Sequence, residues 1–124
     1  VPEPLADCAR LFETQTRGLA TATDRLLRKH GKKIIDKQLA TRRLADIMID
    51  LFSFACVLSR VSTAIESDGD AAHKREIEIA RALGAQCDLR IRTNLSRIDD
   101  NEDELVKTLA DFAVDSEGYP FDVI

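Results

Sequence analysis

The chain has 124 residues and a mass of 13.8 kDa, with 44% hydrophobic and 32% charged residues and a formal net charge of −4. This is the size and balance of one folded domain and excludes a disordered or collagen-like chain. The longest apolar stretch, residues 47–58, carries Asp50 and Ser53 and falls well short of the ~20 residues a membrane helix needs.

Aromatic residues are 5%, with no Trp and one Tyr, so platforms for stacking bases are scarce; with an acidic balance and no recognition motif, no nucleic acid partner is expected. Cys8, Cys56 and Cys87 form no Cys-x-x-Cys, which suggests a reducing compartment and neither a disulfide framework nor a zinc site. The cysteines fall at or near core-facing positions.

Val1-Pro2-Glu3-Pro4 reads as a linker over residues 1–4, with no charged or apolar region of a signal peptide. It fits a fragment of a longer protein as well as a chain trimmed of its methionine. From residue 5 to residue 119 there is no proline, which favours uninterrupted helix. Leu5, Cys8, Phe12, Leu19, Ala22 and Leu26 recur at helical spacing with Gln15 as the polar interruption. This first helix is expected to stop near His30-Gly31, where glycine supplies a cap and Arg28, Lys29 and His30 complement the helix dipole.

Asp36 is the expected N-cap of a second helix carrying Leu44, Ile47, Met48, Leu51, Ala55, Leu58 and Ile65. Its apolar coverage widens at Ile49, Phe52, Phe54 and Val57, which calls for neighbours on more than one side. Ser67-Asp68-Gly69-Asp70 reads as a turn, with Asp68 or Asp70 capping a third helix whose face is Ile77, Ala80, Gly84, Cys87, Ile91, Leu95 and Ile98. Gly18 and Gly84, in helix interiors, mark close helix crossings. Asp99-Asp100-Asn101 breaks the chain before a shorter helix with Leu105, Leu109 and Phe112. The expected fold is all-α, an up-and-down antiparallel four-helix bundle with three long helices and one short. It occupies residues 5–116, and residues 117–124 form a C-terminal tail.

Charge is uneven along the chain. Arg25, Arg28, Lys29, Lys32, Lys33, Lys37, Arg42 and Arg43 oppose only Asp36, whereas Asp99, Asp100, Glu102, Asp103, Glu104, Asp111, Asp115, Glu117 and Asp122 oppose only Lys107. The expectation is a basic pole and an acidic pole at opposite ends of the long axis. Arg28, Lys29, Lys32 and Lys33 are the candidates for contact with an anionic surface or phosphate, weighed against a solvated loop. Asp46 and Asp50, four residues apart near Arg43 and Arg60, suit structural ion pairs reaching arginines such as Arg90 or Arg92 better than acid–base or metal chemistry. His30 and His73 read as surface histidines. No catalytic, cofactor-binding or metal-ligating residue is assigned, and no phosphate-binding glycine motif or nucleophile elbow is present.

Over residues 27–62, Lys29-His30-Gly31-Lys32-Lys33, Arg43-Leu44-Ala45-Asp46, Ile49-Asp50-Leu51 and Val57-Leu58-Ser59-Arg60-Val61-Ser62 resemble the C-terminal helical extension of the very-long-chain acyl-CoA dehydrogenase family. The resemblance implies an accessory domain behind a flavin-dependent catalytic domain that oxidises fatty acyl-CoA in β-oxidation. It places the glutamate base, the FAD contacts and the acyl-CoA cleft in that upstream domain. The partners it implies are the upstream acyl-CoA dehydrogenase catalytic domain, a second copy in a homo-oligomer, and peripheral contact with an anionic membrane.

The expected function is therefore a non-catalytic packing and oligomerisation domain. The alternative is a stand-alone helical interaction adaptor using its basic and acidic poles. The expected location is the bacterial cytoplasm or its membrane periphery, or the mitochondrion in a eukaryote. The twelve arginines among the 18 basic residues lean toward a G/C-rich bacterial source.

Overall fold

The computed structural model describes residues 1–118. After a short 3-10 turn at Glu3–Leu5, the proline-free region forms α1 (Ala6–His30), α2 (Gln38–Asp68), α3 (Lys74–Ser96) and the shorter α4 (Asp103–Asp115). The part of the expected tail beyond residue 118 lies outside the described residues.

Glycine ends α1 and α2. Gly31 has φ 54° and its amide donates to Leu27 O, and Gly69 has φ 84° with its amide on Ile65 O; both are backbone conformations that L side chains rarely adopt. Asp36 does not cap α2: it ends a 3-10 turn, Gly31–Asp36, and α2 starts behind Lys37 with no side-chain cap. Nor do Asp68 or Asp70 cap α3. Asn101 does organise the third connection, donating from Nδ2 to the carbonyls of Arg97 and Ile98 and accepting from the Asp103 amide at 3.0 Å.

Three groups of buried side chains give the direction of each long helix. Leu5 packs with Val61, Ile65, Ile77 and Ala80; Cys8 with Ile47, Leu51, Phe54, Cys87 and Ile91; Ala22 and Leu26 with Ala40, Leu44 and Ile98. The start of α1 thus meets the end of α2 and the start of α3. Successive long helices are antiparallel, and α1 and α3 point the same way.

Phe54 is the largest fully buried side chain, and Phe12 meets it edge-on with ring centroids 6.3 Å apart. Burial of such a side chain contributes about 1.5–3 kcal/mol. Gly84 makes room for that ring: a Cβ there would lie 2.8 Å from Phe54 Cζ, and one at Gly18 would lie 3.1 Å from Leu95 Cδ1. The polar interruption in the α1 strip, Gln15, is buried and donates from Nε2 to Asp88 Oδ1 at 2.5 Å, while Arg92 donates to the other Asp88 oxygen.

The fourth helix differs. None of its residues is buried, and Leu105, Leu109 and Phe112 face solvent at 58%, 58% and 47% exposure. The tertiary core belongs to α1, α2 and α3.

Candidate functional site

The antiparallel alternation of the long helices decides where the charges meet. The chain travels out along α1, back along α2 and out again along α3, so residues 97–102 arrive beside the connection between α1 and α2. Ile98, buried against Leu26 and Leu44, pins that end. The basic and acidic runs therefore share one end of the bundle, which corrects the expectation of separated poles.

Arg25 Nε lies 3.0 Å from Asp99 Oδ2, Lys29 Nζ 4.0 Å from Asp99 Oδ1, and Lys37 Nζ 2.8 Å from Glu104 Oε1. Arg43 donates from its two terminal nitrogens to both oxygens of Asp103 at 2.5 and 2.7 Å. This two-pronged pair is the strongest geometry a carboxylate and a guanidinium can adopt. Its side chains are only about one-fifth exposed. The hydrogen bonds from Arg43 hold the Asp103 carboxyl below its ordinary pKa, and Asp103 in turn raises that of Arg43. Two ion pairs thus fasten the first turn of α4.

The candidate anion-binding residues fare unequally. Arg28 pairs with Asp24 one turn earlier at 3.0 Å, and Lys29 faces Asp99. Lys32 and Lys33 are exposed and have no ion-pair partner among the described residues. Beneath α4, a cleft of about 860 Å³ is floored by Leu26, Leu39, Ala40 and Ile98, with Asp36, Asp99, Asp103 and Glu104 among its walls. Lys29, Lys37 and Lys107 share those walls, so the lining is mixed in charge, and the Phe12–Phe54 pair is spent inside the core.

In the middle of α2, Arg90 donates to Asp50 from Nε at 3.0 Å and from a terminal nitrogen at 2.9 Å, tying α3 to α2. Asp46 lies 3.9 Å from Arg42 on its own helix. Arg43 serves α4 instead. Arg60 is exposed, with no ion-pair partner among the described residues. Cys8 and Cys87 are buried, and burial raises both thiol pKa values. Cys56, by contrast, is exposed on the outer side of α2, where the periodicity had placed it at the core edge.

Sequence reasoning passed over one further cluster. His73 Nε2 lies 2.7 Å from Asp68 Oδ2 and Nδ1 lies 3.6 Å from Glu76 Oε2, at the turn between α2 and α3. The hydrogen bond with Asp68 raises the His73 pKa and lowers that of Asp68. Asp68, His73 and Glu76 straddle a glycine turn, and that spacing was the available signal.

The family model described as "ACAD9/ACADV, C-terminal domain" matches residues 3–118. The very long-chain specific acyl-CoA dehydrogenase, mitochondrial, of Bos taurus is 34% identical over 109 residues, covering 86% of this chain and 16% of the relative. The Rattus norvegicus protein of the same description is 34% identical over 82 residues, 66% of this chain and 12% of the relative. The Homo sapiens protein is 32% identical over 95 residues, 74% of this chain and 14% of the relative. The chain thus spans about one-sixth or less of the length of the relatives it matches.

Proposed function

The chain belongs to the family of ACAD9/ACADV C-terminal domains, and on that premise we propose that it is the accessory helical domain of an FAD-dependent long-chain or very-long-chain acyl-CoA dehydrogenase of fatty acid β-oxidation. In this reading the flavin and the catalytic base belong to the rest of the parent protein. The relatives carry most of their length outside the matched segment, and this chain's task is to pack on that catalytic portion.

The observation that carries the reading is the groove between α2 and α3. Ile49 and Leu89 stand exposed in it, beside the Asp50–Arg90 pair that ties α3 to α2 and lines the same groove. A rigid apolar surface with a fixed polar rim is the anatomy of a docking face. The parent's catalytic portion is its occupant. In the full-length parent, Ile49→Asp with Leu89→Asp is expected to split one cooperative thermal transition into two and to open the domain boundary to limited proteolysis. A single unchanged transition with unchanged proteolysis counts against docking through this face.

A second role rests on the basic connection. Lys32 and Lys33 stand clear of the carboxylates that engage their neighbours, and Ile35 beside them is 77% exposed. Cations next to a projecting apolar side chain suit peripheral contact with an anionic membrane. No helix among the described residues is long and apolar enough to cross a membrane. Co-sedimentation with phosphatidylserine vesicles, lost on Lys32→Glu with Lys33→Glu, is the expected result. Absence of binding by the original chain ends this role.

A further inference from the structure

We propose that Asp68, His73 and Glu76 form a proton-operated latch on the segment through which the chain enters the bundle, closed by imidazolium and opened by neutral imidazole. Its functional meaning rests on the reading proposed above, in which a C-terminal domain joins its catalytic portion through this entry segment.

The entry segment is seated on the bundle. Leu5 is fully buried among Val61, Ile65, Ile77 and Ala80. The Leu5 amide donates to Pro2 O at 3.0 Å, the Ala6 amide donates to Glu3 O, and Arg81 donates from a terminal nitrogen to Pro4 O at 3.0 Å. The walls of the Leu5 socket adjoin the cluster on both sides of the turn between α2 and α3. Ile65 stands in the last turn of α2, as Asp68 does, and Ile77 follows His73 by about one turn at the start of α3.

His73 lies between two carboxylates, with Nε2 2.7 Å from Asp68 Oδ2 and Nδ1 3.6 Å from Glu76 Oε2. Nδ1 is buried and has no hydrogen-bond partner among the described residues. Imidazolium offers a proton toward each carboxylate and so draws the end of α2 and the first turn of α3 together. A neutral ring has one N–H. Whichever nitrogen keeps it, the other turns a lone pair toward a carboxylate, and acceptor faces acceptor. Asp68 from α2 and Glu76 from α3 are the charged groups that act on the ring, and both favour imidazolium. Asp70, in the turn itself, accepts from the His73 amide through its backbone carbonyl at 3.0 Å. Loss of the second ring proton to solvent therefore loosens the first turn of α3, and with it the Ile77 wall of the Leu5 socket.

Amide exchange of the 124-residue chain, corrected for its intrinsic pH dependence, tests the latch at Leu5 and Ala6. Opening there is expected to rise about threefold between about pH 6 and about pH 9, while the amides around Phe54 stay protected. His73→Gln cannot gain a proton and is expected to abolish the rise. Glu76→Gln gives the neutral ring a side-chain amide donor at Nδ1; it is expected to lower the His73 pKa, read from the ring resonances, and to reduce the rise. Equal protection of Leu5 and Ala6 at both pH values overturns the proposal. So does a rise that persists in His73→Gln, or a His73 pKa unmoved by Glu76→Gln. The docking reading fails separately, because Ile49→Asp with Leu89→Asp replaces neither the socket nor the latch: an unchanged thermal transition in that variant counts against docking alone, and a pH-independent Leu5 amide counts against the latch alone.

Discussion

The first and fourth helices carry apolar strips of similar regularity and meet opposite fates. In α1, Cys8, Ala22 and Leu26 are buried between two neighbours; in α4, Leu105, Leu109 and Phe112 remain in solvent. Periodicity is a property of one helix, whereas burial needs a partner at the right distance. The three long helices bury their facing sides against one another, whereas α4 is fastened to them by charge at one end. One region is held by packing and the other by electrostatics, so they should respond to different perturbations.

Phe54→Ala is the largest of these. Removing a fully buried ring that Phe12 and Gly84 both touch is expected to cost about 3–5 kcal/mol, read as a lower urea midpoint. A loss under about 1 kcal/mol would show that the packed region is not where stability resides. Gly84→Ala approaches the same ring from α3 and is expected to cost about 1–3 kcal/mol, because Phe54 must move.

Arg43→Ala acts on the other region. Its expected effect on global stability is about 1 kcal/mol, with amide exchange accelerated across residues 103–115 and unchanged in the cores of α1, α2 and α3. Equal acceleration everywhere would mean that α4 is integral to the bundle. Acid should mimic the substitution. Because Asp103 has a lowered folded pKa, its contribution is fully present above the ordinary carboxylate pKa and is lost as pH falls through the lowered value. High salt should weaken the exposed Lys37–Glu104 pair before the more shielded Arg43–Asp103 pair.

The smallest effect is expected at His73. Its folded pKa is raised by Asp68, so its contribution is present below the ordinary imidazole pKa and fades as pH rises through the raised value. His73→Gln should flatten that dependence in thermal melts while leaving α4 exchange untouched. A melting profile with the same pH slope as the parent chain would remove His73 from the account.

Several local features were legible in the residues themselves. Gly31 and Gly69 end helices because the chain needs positive φ there, and Gly84 marks a crossing because a ring occupies the space of its Cβ. Asn101 was legible as part of a break. The caps at Asp36, Asp68 and Asp70 were misread, since a short polar side chain near a helix start signals only that capping chemistry is available. Asp68 instead bonds His73, and α2 opens through a 3-10 turn. Cys56 was misplaced because the apolar residues of α2 go nearly all round, and a wide stripe does not identify its own core side.

The charged end shows the same division between local and tertiary information. The residues of the Arg43–Asp103 and Lys37–Glu104 pairs stood within the two charge runs, but their meeting depended on the antiparallel packing of the long helices. Because successive long helices are antiparallel, the third ends where the first ended, and opposite runs neutralise each other. The family resemblance concentrated in residues 27–62 indicated the kind of domain, and the match over residues 3–118 extends it to nearly the whole chain.

By itself, the amino-acid order determined the helical content, the places where helices stop, and the apolar side of α1 and α3. Only the tertiary structure decided that the charge runs meet, that Asp50 takes Arg90, and that the apolar side of α4 faces water. The reason is physical: backbone propensity and side-chain periodicity act within a few turns of one helix. Ion pairs and burial depend on what another helix, tens of residues away, places opposite.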